Sequence, residues 1–371
     1  MRKIVFLHPA HYEQSMGGAE YQISLLIEFL KKQSANIEIY HIFEDNRTPI
    51  ENGLNIQLVP LKKIKLNKRF GDRWFLYRKR ILAELERIQP DVIYTRFFSS
   101  WSGIAADFAR PNNCTHIWAL ASDNDVTRLQ QRVSLLKPLN FLENKWVKKA
   151  FSSASYILTQ NSYQQERVQT VYKREGLLIR QSAEICQEDT IVKPDSFIAV
   201  CWIANLKPIK QPELFVALAE RFKTNQSIRF TMIGRSHKNY EELLQNAADR
   251  IPNFRYLGEI PNNEVNKQLC QTHILVNTSE YEGFSNTFVQ AWMRKVVVVS
   301  LNSNPDGLLS DKEIGFVSSN LNELEKTIRD LVDNKDTIER MGRKAFDYAQ
   351  VNHSYTQNMA MLTKLMGIDE Q

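Results

Sequence analysis

The sequence predicts an α/β fold: two Rossmann-like domains whose parallel sheets face each other across a cleft. Short apolar segments alternate with amphipathic helical segments along most of the 371 residues, and the alternation restarts after about residue 190. Strands that alternate with helices form parallel, doubly wound sheets. The apolar runs are almost uninterrupted, as in VVVV at 296–299, which is typical of strands buried on both faces.

The first domain is expected to span residues 1–180. It opens with a short apolar strand, Lys3–Leu7, and a loop. Ile23, Leu26 and Leu30 then lie at the spacing of one helix face, which predicts an amphipathic helix. Further strands follow at NIEIYHIF, PDVIYTRF, THIWALA and SYILTQ, with helices near residues 73–88, 102–110 and 136–151.

The second domain is expected to span residues 190–345. Its predicted strands are SFIAVCWIA, SIRFTMIG, FRYLGEI, HILVNTS and VVVVS, and its predicted helices include QPELFVALAERF, NYEELLQNAADR and NNEVNKQLCQ. A final helix near residues 350–371 is expected to pack back on the first domain. Ligands of doubly wound sheets bind beyond the carboxyl ends of the strands, so the loops that follow the strands are the places to look for function.

Composition and charge favour an anionic partner and a reducing compartment. The net charge is +6 and the pI about 9.0, and such a positive excess attracts anions. The four cysteines show no metal-ligand spacing, so we expect reduced, mostly buried thiols. The first apolar run is too short for a signal peptide, and no apolar run of about 18 residues is available to span a bilayer. The sequence therefore predicts a cytoplasmic protein.

Two loops contain residues suited to phosphate. Gly17 and Gly18 lie between the first strand and the first helix. At such a position the backbone can approach a ligand closely, and the N–H groups of the helix start can donate hydrogen bonds to an anion. The same pair is also common in plain flexible turns. Lys207 and Lys210 follow the strand SFIAVCWIA, and an ammonium group there would neutralise a phosphate. Alternatively, both lysines are simply solvated.

The loop EYEGFSN, after the strand HILVNTS, brings a carboxylate, backbone donors and an amide together. Glu282 projects from this loop, and Ser285 is expected to cap a helix whose first N–H groups, at 284–286, point outward. Asn286 and Gln290 are four residues apart and are expected on the exposed helix face. This set suits a sugar nucleotide, with the carboxylate on sugar hydroxyls, the N–H groups on diphosphate and the amide on ribose. The alternative is a capped helix with solvated Glu282 and Gln290.

Four segments together resemble retaining glycosyltransferases of the GT-B fold, in the large glycosyl transferases group 1 family. They are GGAE, WIANLKPIKQPELF, FRYLGEIPNNEV and NTSEYEGFSNTFVQAWM. The last of them resembles the family's signature of a glutamate, seven residues and a second glutamate. Gln290 stands here in place of the second glutamate, and Asn205 in place of the arginine usual before Lys210.

The resemblance implies an acceptor-binding first domain and a second domain that binds the nucleotide-diphosphate sugar. It implies that Lys210 contacts the diphosphate and Glu282 positions the donor sugar, so these two residues are the expected catalytic pair. Gln290 would take the ribose-binding place. The other expected donor contacts are Gly17, Gly18, Asn205, Lys207, Gly258, Ile260, Gly283, Phe284, Ser285 and Asn286.

The expected activity is therefore retaining, metal-independent and cofactor-free transfer of a sugar to a saccharide or lipid-linked acceptor, in cell-surface polysaccharide synthesis. The alternatives are a sugar-nucleotide epimerase or hydrolase of the same fold and a non-catalytic nucleotide- or glycan-binding pseudoenzyme, which the changes at 290 and 205 make conceivable. A dehydrogenase is disfavoured, because no GxGxxG follows the first strand.

Two further features have a structural and a functional interpretation. Asp123 and Asp125 form a DxD that could bind a hard cation, but acceptor recognition or loop capping is the favoured interpretation, with no metal. The segment Leu61–Arg80 holds nine basic residues and one acidic residue. It is either a solvated surface or a patch that contacts an anionic membrane. Nucleic-acid binding is not expected, since no such motif is present.

Overall fold

A computed structural model describes residues 1–14, 17–33, 36–45, 49–64, 74–128, 138–236, 238–280 and 282–368. The chain divides into two compact units, Met1–Gln181 with Thr356–Gln371, and Ser182–Tyr355. Within the described residues each unit contains one parallel sheet, of seven strands in the first unit and six in the second. The predicted α/β class with parallel sheets is confirmed.

The first unit is a sheet with helices between its strands. The strand order is β3-β2-β1-β4-β5-β6-β7, so the order reverses between β1 and β4. The strands are β1 Arg2–Leu7, β2 Ile37–Asp45, β3 Gln57–Lys62, β4 Val92–Arg96, β5 Thr115–Ala119, β6 Tyr156–Thr159 and β7 Leu177–Leu178. The helices are α1 Gly18–Gln33, α2 Trp74–Ile88, α3 Ser100–Ala109, α4 Asp123–Arg128, α5 Pro138–Phe151 and α6 Ser162–Tyr172.

The second unit repeats the same topology. Its strand order is β10-β9-β8-β11-β12-β13, and here the reversal lies between β8 and β11. The strands are β8 Ile198–Ile203, β9 Ile228–Ile233, β10 Phe254–Tyr256, β11 Ile274–Asn277, β12 Val297–Ser300 and β13 Gly315–Val317. The helices are α7 Pro212–Arg221, α8 Glu241–Arg250, α9 Asn262–Cys270, α10 Asn286–Trp292, α11 Leu308–Asp311, α12 Leu321–Asp333 and α13 Lys335–Asn352. The last helix, α14 Tyr355–Leu365, belongs to the first unit from Thr356 onward.

The hydrophobic pattern explains these elements. The predicted face of α1 is buried, with Ile23, Leu26 and Leu30 at most 1% exposed. In β12 the side chains at 297 and 299 belong to one core cluster and the side chain at 298 to another. That strand is therefore buried on both faces, as its uninterrupted valine run predicts.

The four cysteines are free thiols, three of them buried, as expected. In the described parts of the chain, no helix is both long enough and apolar enough to cross a bilayer.

Candidate functional site

The candidate site lies at the carboxyl ends of β8 and β11, where the strand order of the second sheet reverses. Ligands of doubly wound folds bind in the crevice at this position. The loop after β8 carries Lys207 and Lys210, and the loop after β11 carries Glu282. Each predicted catalytic residue thus follows one of the two strands that flank the switch point.

Hydrogen bonds fasten the two loops to each other. The Thr278 hydroxyl donates to the backbone oxygens of Lys210 (2.7 Å) and Gln211 (3.0 Å). The same hydroxyl accepts from Trp202 Nε1 at 2.9 Å. The Glu280 N–H donates to the Ile209 oxygen at 2.9 Å. These contacts fix the backbone of Lys210 relative to the loop that carries Glu282.

Lys210 and Glu282 form an ion pair. The Lys210 ammonium donates to Glu282 Oε1, and the two side chains are 24% and 14% exposed. The same oxygen accepts from Ser279 Oγ at 2.7 Å and from Asn277 Nδ2 at 3.3 Å. All of these bonds go to Oε1, so within the described residues no hydrogen bond is made to Oε2. The carboxylate is held rigidly and keeps one oxygen for a further partner.

The two lysines of the loop after β8 differ in their exposure to solvent. Lys207 is exposed and lies just before the 3₁₀ turn Pro208–Lys210. Lys210 is the last residue of that turn and is half-buried. The Lys207 oxygen accepts the Lys210 N–H at 2.9 Å. Asn205, which replaces the expected arginine, accepts the Arg235 N–H at 3.4 Å. Of these two lysines, the structure therefore pairs Lys210 with the Glu282 carboxylate.

Helix α10 differs from the sequence expectation. Ser285 precedes it, but the Ser285 side chain makes no capping bond and instead lies 2.9 Å from Thr287 Oγ1. Gln290 is only 3% exposed, and its Nε2 donates to Oδ1 of Asn262 (2.9 Å) and of Asn266 (3.0 Å). The expectation of an exposed Gln290 is wrong, and so is the solvated alternative, because α10 packs against both α9 and α13. Its role at the ribose stays a prediction.

The start of α10 gives weaker support for phosphate binding than the sequence suggested. Gly283 and Phe284 are buried, and Asn286 begins the helix. The helix has only seven residues, so its dipole is short. Donor contacts by the amides at 284–286 stay a prediction.

The loop after β10 borders the same edge of the sheet. Gly258 has φ +73°, a left-handed conformation that favours glycine. Its oxygen accepts the Gly234 N–H at 2.9 Å. Glu259 accepts two hydrogen bonds from Arg235, at 2.6 and 2.8 Å. Ile260 packs on the core. Contact of Gly258 and Ile260 with a base stays a prediction.

The glycine pair of the first unit lies at the start of α1. Gly18 is the first residue of the helix, and the Gly17 oxygen accepts the Tyr21 N–H at 3.0 Å. A side chain at Gly17 would meet the Glu20 carboxylate. The loop just before, at 15–16, lies outside the described residues, and phosphate contact by these glycines stays a prediction.

The DxD aspartates act as structural acceptors. Asp123 Oδ1 accepts from Asn161 Nδ2 (3.0 Å) and Gln164 Nε2 (2.9 Å). Asp125 is 6% exposed, and its Oδ2 accepts the N–H groups of the 121–122 pair at 2.7 and 3.1 Å. These bonds favour the loop-capping interpretation, and acceptor recognition stays a prediction. In the described ranges no three His, Cys, Asp or Glu side chains are arranged to hold a metal.

The basic segment Leu61–Arg80 lies partly outside the described residues, which omit 65–73. Of its described members, Lys63 lies 3.6 Å from Glu44 and Arg78 lies 3.3 Å from Asp107. These pairs neutralise part of the positive charge. Membrane binding by this segment gains no support from them and stays a prediction.

Sequence reasoning missed the residues that organise the site. Asn277, Ser279 and Thr278 occupy the end of β11 and the loop after it, and they join Glu282 to the turn at Lys210. Their local signal was a run of three small polar residues directly after a buried strand, at the carboxyl edge of the sheet.

Comparison with known proteins finds one family match. Residues 198–334 match the family described as Glycosyl transferases group 1, and both predicted catalytic residues fall inside this range. No curated protein sequence matches the chain significantly.

Three solved structures illustrate the fold. Sucrose-phosphate synthase from Thermosynechococcus elongatus superposes with a TM-score of 0.76 at 14% identity, over 98% of each chain. Anabaena HepE, in complex with UDP and glucose, gives 0.74 at 12% identity, over 99% of this chain and 100% of that one. WaaG, a glycosyltransferase involved in lipopolysaccharide biosynthesis, gives 0.73 at 10% identity, over 99% and 100%. The chain thus has the fold of GT-B glycosyltransferases, and its residues 198–334 match the glycosyl transferases group 1 family, a match that supports sugar transfer.

Proposed function

We propose that this chain is a glycosyltransferase that moves a sugar from a nucleotide-diphosphate donor to a saccharide or lipid-linked acceptor. The observation that carries the proposal is the Lys210–Glu282 pair at the switch point of the second sheet. The pair lies within the range that matches the glycosyltransferase family. Two rigid, oppositely charged groups are what a donor needs: a cation for its diphosphate and an anion for its sugar hydroxyls.

Lys210 stabilises the departing diphosphate in this proposal. Negative charge develops on the leaving group as the glycosidic bond breaks, and a preorganised cation lowers the energy of that transition state. Lys210 is held in place before the donor arrives, by the tie between its backbone oxygen and Thr278 and by its bond to Glu282. Its remaining ammonium hydrogens can donate to phosphate oxygens without loss of the carboxylate contact.

Glu282 positions the donor sugar. Its Oε1 already accepts from Lys210, Ser279 and Asn277. Its Oε2 is the oxygen that would accept sugar hydroxyls. Because charge-assisted hydrogen bonds are about twice as strong as neutral ones, this contact discriminates strongly between correctly and incorrectly placed sugars.

The proposal also specifies the donor nucleotide, the stereochemistry of transfer and the cellular location. HepE has been solved with UDP and glucose, so UDP-sugars are the first donors to screen. We propose a retaining, metal-independent reaction; the anomeric configuration of the product and activity in the presence of a chelator test these two points. Surface-polysaccharide synthesis and a cytoplasmic or membrane-peripheral location complete the proposal.

Nucleotide release separates the proposal from its alternatives. Purified protein is incubated with UDP-, GDP- or ADP-sugars, with and without a panel of saccharide acceptors. A transferase releases the nucleotide diphosphate only when an acceptor is present. Release without acceptor identifies a hydrolase. Tight donor binding without release identifies a non-catalytic binder, which is worth testing because the buried Gln290 amide nitrogen already donates to Asn262 and Asn266.

A further inference from the structure

A small cavity lies at the carboxyl edge of the first unit's sheet. It is lined by residues at or near the carboxyl ends of β4, β5, β6 and β7, by Gln22 of α1, and by Met359 and Leu362 of α14. Its volume is about 20 Å³, room for about one water-sized group. The first sheet's strand order reverses beside β4, so the cavity neighbours a position at which doubly wound folds bind ligands.

Arg96, the last residue of β4, contributes a buried cation to this cavity. It is 7% exposed, and its Nη1 donates to the Tyr94 hydroxyl at 3.0 Å. Its Nε is buried and has no hydrogen-bond partner among the residues that the structure describes. A guanidinium group stays charged at every physiological pH, and a buried charge without a counter-ion is costly.

Arg180 adds a second cation to the same wall. Its Nε is also buried with no partner in the described part of the chain, while its backbone oxygen accepts from Asn358 Nδ2 at 2.9 Å. Neither arginine forms an ion pair with a described carboxylate, and the described residues that line the cavity include no aspartate or glutamate. His8 lies close to Arg96, but burial together with the Arg96 charge holds its pKa at about 4, so it is neutral. No carboxylate of the described residues compensates the positive charge here.

Three other polar side chains of the wall, Thr159, Gln160 and Gln181, are hydrogen-bonded to protein groups. Gln160 Nε2 donates to the Leu120 oxygen at 2.6 Å, and Gln160 Oε1 accepts from Gln181 Nε2 at 2.8 Å. Thr159 Oγ1 donates to the Leu177 oxygen at 3.3 Å. The two guanidinium Nε groups are buried donors of this wall, and the Gln181 Oε1 atom is a buried acceptor beside them.

We propose that Arg96 and Arg180 form an oxyanion-binding site that takes the oxygens of a phosphate group. The guanidinium fork matches phosphate geometry, and one phosphate oxygen fills a cavity of this size while the rest of the group stays at its mouth. The anion supplies the counter-charge that the described protein residues do not. If the chain is the proposed glycosyltransferase, on which this extension rests, the phosphate belongs either to an anionic acceptor or to a free ion bound at the acceptor domain.

Thermal unfolding with inorganic phosphate tests the site. Phosphate is compared with sodium chloride at matched ionic strength, for the wild type, Arg96→Met, Arg180→Met and the exposed control Arg110→Met. We expect phosphate at roughly 100 times its Kd to raise the Tm of the wild type and of the control by about 5 °C. The rise disappears in Arg96→Met and shrinks in Arg180→Met.

A second variant keeps this site distinct from the proposed donor site. Lys210→Ala removes the cation expected to bind the donor diphosphate, so it retains the phosphate response if the proposal is correct. A response that is lost in Lys210→Ala and intact in Arg96→Met would overturn the proposal, as would equal shifts in phosphate and chloride. UDP binding, measured in parallel, tests the proposed function separately, and Arg96→Met leaves it unchanged.

Two further measurements identify the source of the phosphate and test the site without relying on a variant that folds. An equal Tm rise with glycerol 3-phosphate supports a phosphate carried by an acceptor, whereas a rise with inorganic phosphate alone supports a bound ion. Wild-type crystals soaked in tungstate, a heavy oxyanion, give an answer even if Arg96→Met does not fold. An anomalous peak between the two guanidinium groups is expected, and a cavity without one refutes the site.

Discussion

Replacing Lys210 by alanine is expected to weaken donor binding far more than replacing Lys207. Lys210 is half-buried and bonded to the Glu282 carboxylate, and its backbone is tied to Thr278. Lys207 lies three residues earlier on the same loop but is exposed. The two substitutions remove the same charge from the same loop, so any difference between them reports position rather than net charge.

The expected magnitude follows from the contacts. A hydrogen bond to a charged group contributes about 1.5–3 kcal/mol, which is roughly a 10- to 150-fold loss of affinity for a nucleoside diphosphate. Lys210→Ala also leaves Glu282 without its cation, although Ser279 and Asn277 still donate to it. For a pair this partly buried, we expect a loss of about 1–2 kcal/mol in the free energy of unfolding. Lys207→Ala should change either quantity by less than about 0.5 kcal/mol.

Calorimetric titration with UDP, or with whichever nucleoside diphosphate the screen selects, measures the affinities, and urea unfolding measures the stabilities. Glu282→Gln, alone and combined with Lys210→Ala, gives the coupling energy of the pair. Equal affinity losses in Lys210→Ala and Lys207→Ala would refute the assignment of Lys210. A Lys210→Ala variant that is destabilised but binds nucleotide like the wild type would show that the pair is purely structural.

Three further predictions concern buried polar groups. Gln290→Glu should lower the free energy of unfolding by about 1–3 kcal/mol at neutral pH, because a buried carboxylate replaces an amide that donates to Asn262 and Asn266; an unchanged urea midpoint would contradict this. Asp125→Ala should cost about 1–2 kcal/mol, because two backbone N–H groups lose their acceptor; full stability with lost acceptor binding would instead favour a recognition role. Burial lowers the pKa of His273 from 6.5 to about 4, so the unfolded chain binds the proton first, and stability should fall between pH 6.5 and 4 by up to about 1.4 kcal/mol per pH unit. Urea unfolding across this range should show that the free energy of unfolding falls less steeply with decreasing pH in His273→Gln than in the wild type. An unchanged slope would count against this role of His273.

The sequence predicted the elements whose burial pattern is regular. The helix face at Ile23, Leu26 and Leu30 and the valine strand near 297 are set by local periodicity, and the structure confirms both. β3 was not predicted, because Pro60 interrupts it. The structure tolerates that proline because β3 is the edge strand of its sheet. β7 has two residues, Leu177–Leu178, too few for any periodicity to show.

The candidate site was predictable in position but not in its internal contacts. Lys210 and Glu282 follow strands on either side of the switch point, so topology alone places them at one edge. The burial of Gln290 depends on α9, which lies some twenty residues away in sequence, and no local pattern reports that packing. Arg96 ends an ordinary strand, and only the fold shows that no described carboxylate pairs with it.

A crystal structure of the protein with a bound nucleotide-diphosphate sugar tests the central claim most directly. The diphosphate should lie at the carboxyl ends of β8 and β11, within hydrogen-bonding distance of the Lys210 ammonium, with the sugar hydroxyls on Glu282. A donor bound elsewhere on the chain, with the Lys210–Glu282 pair untouched, would contradict the account.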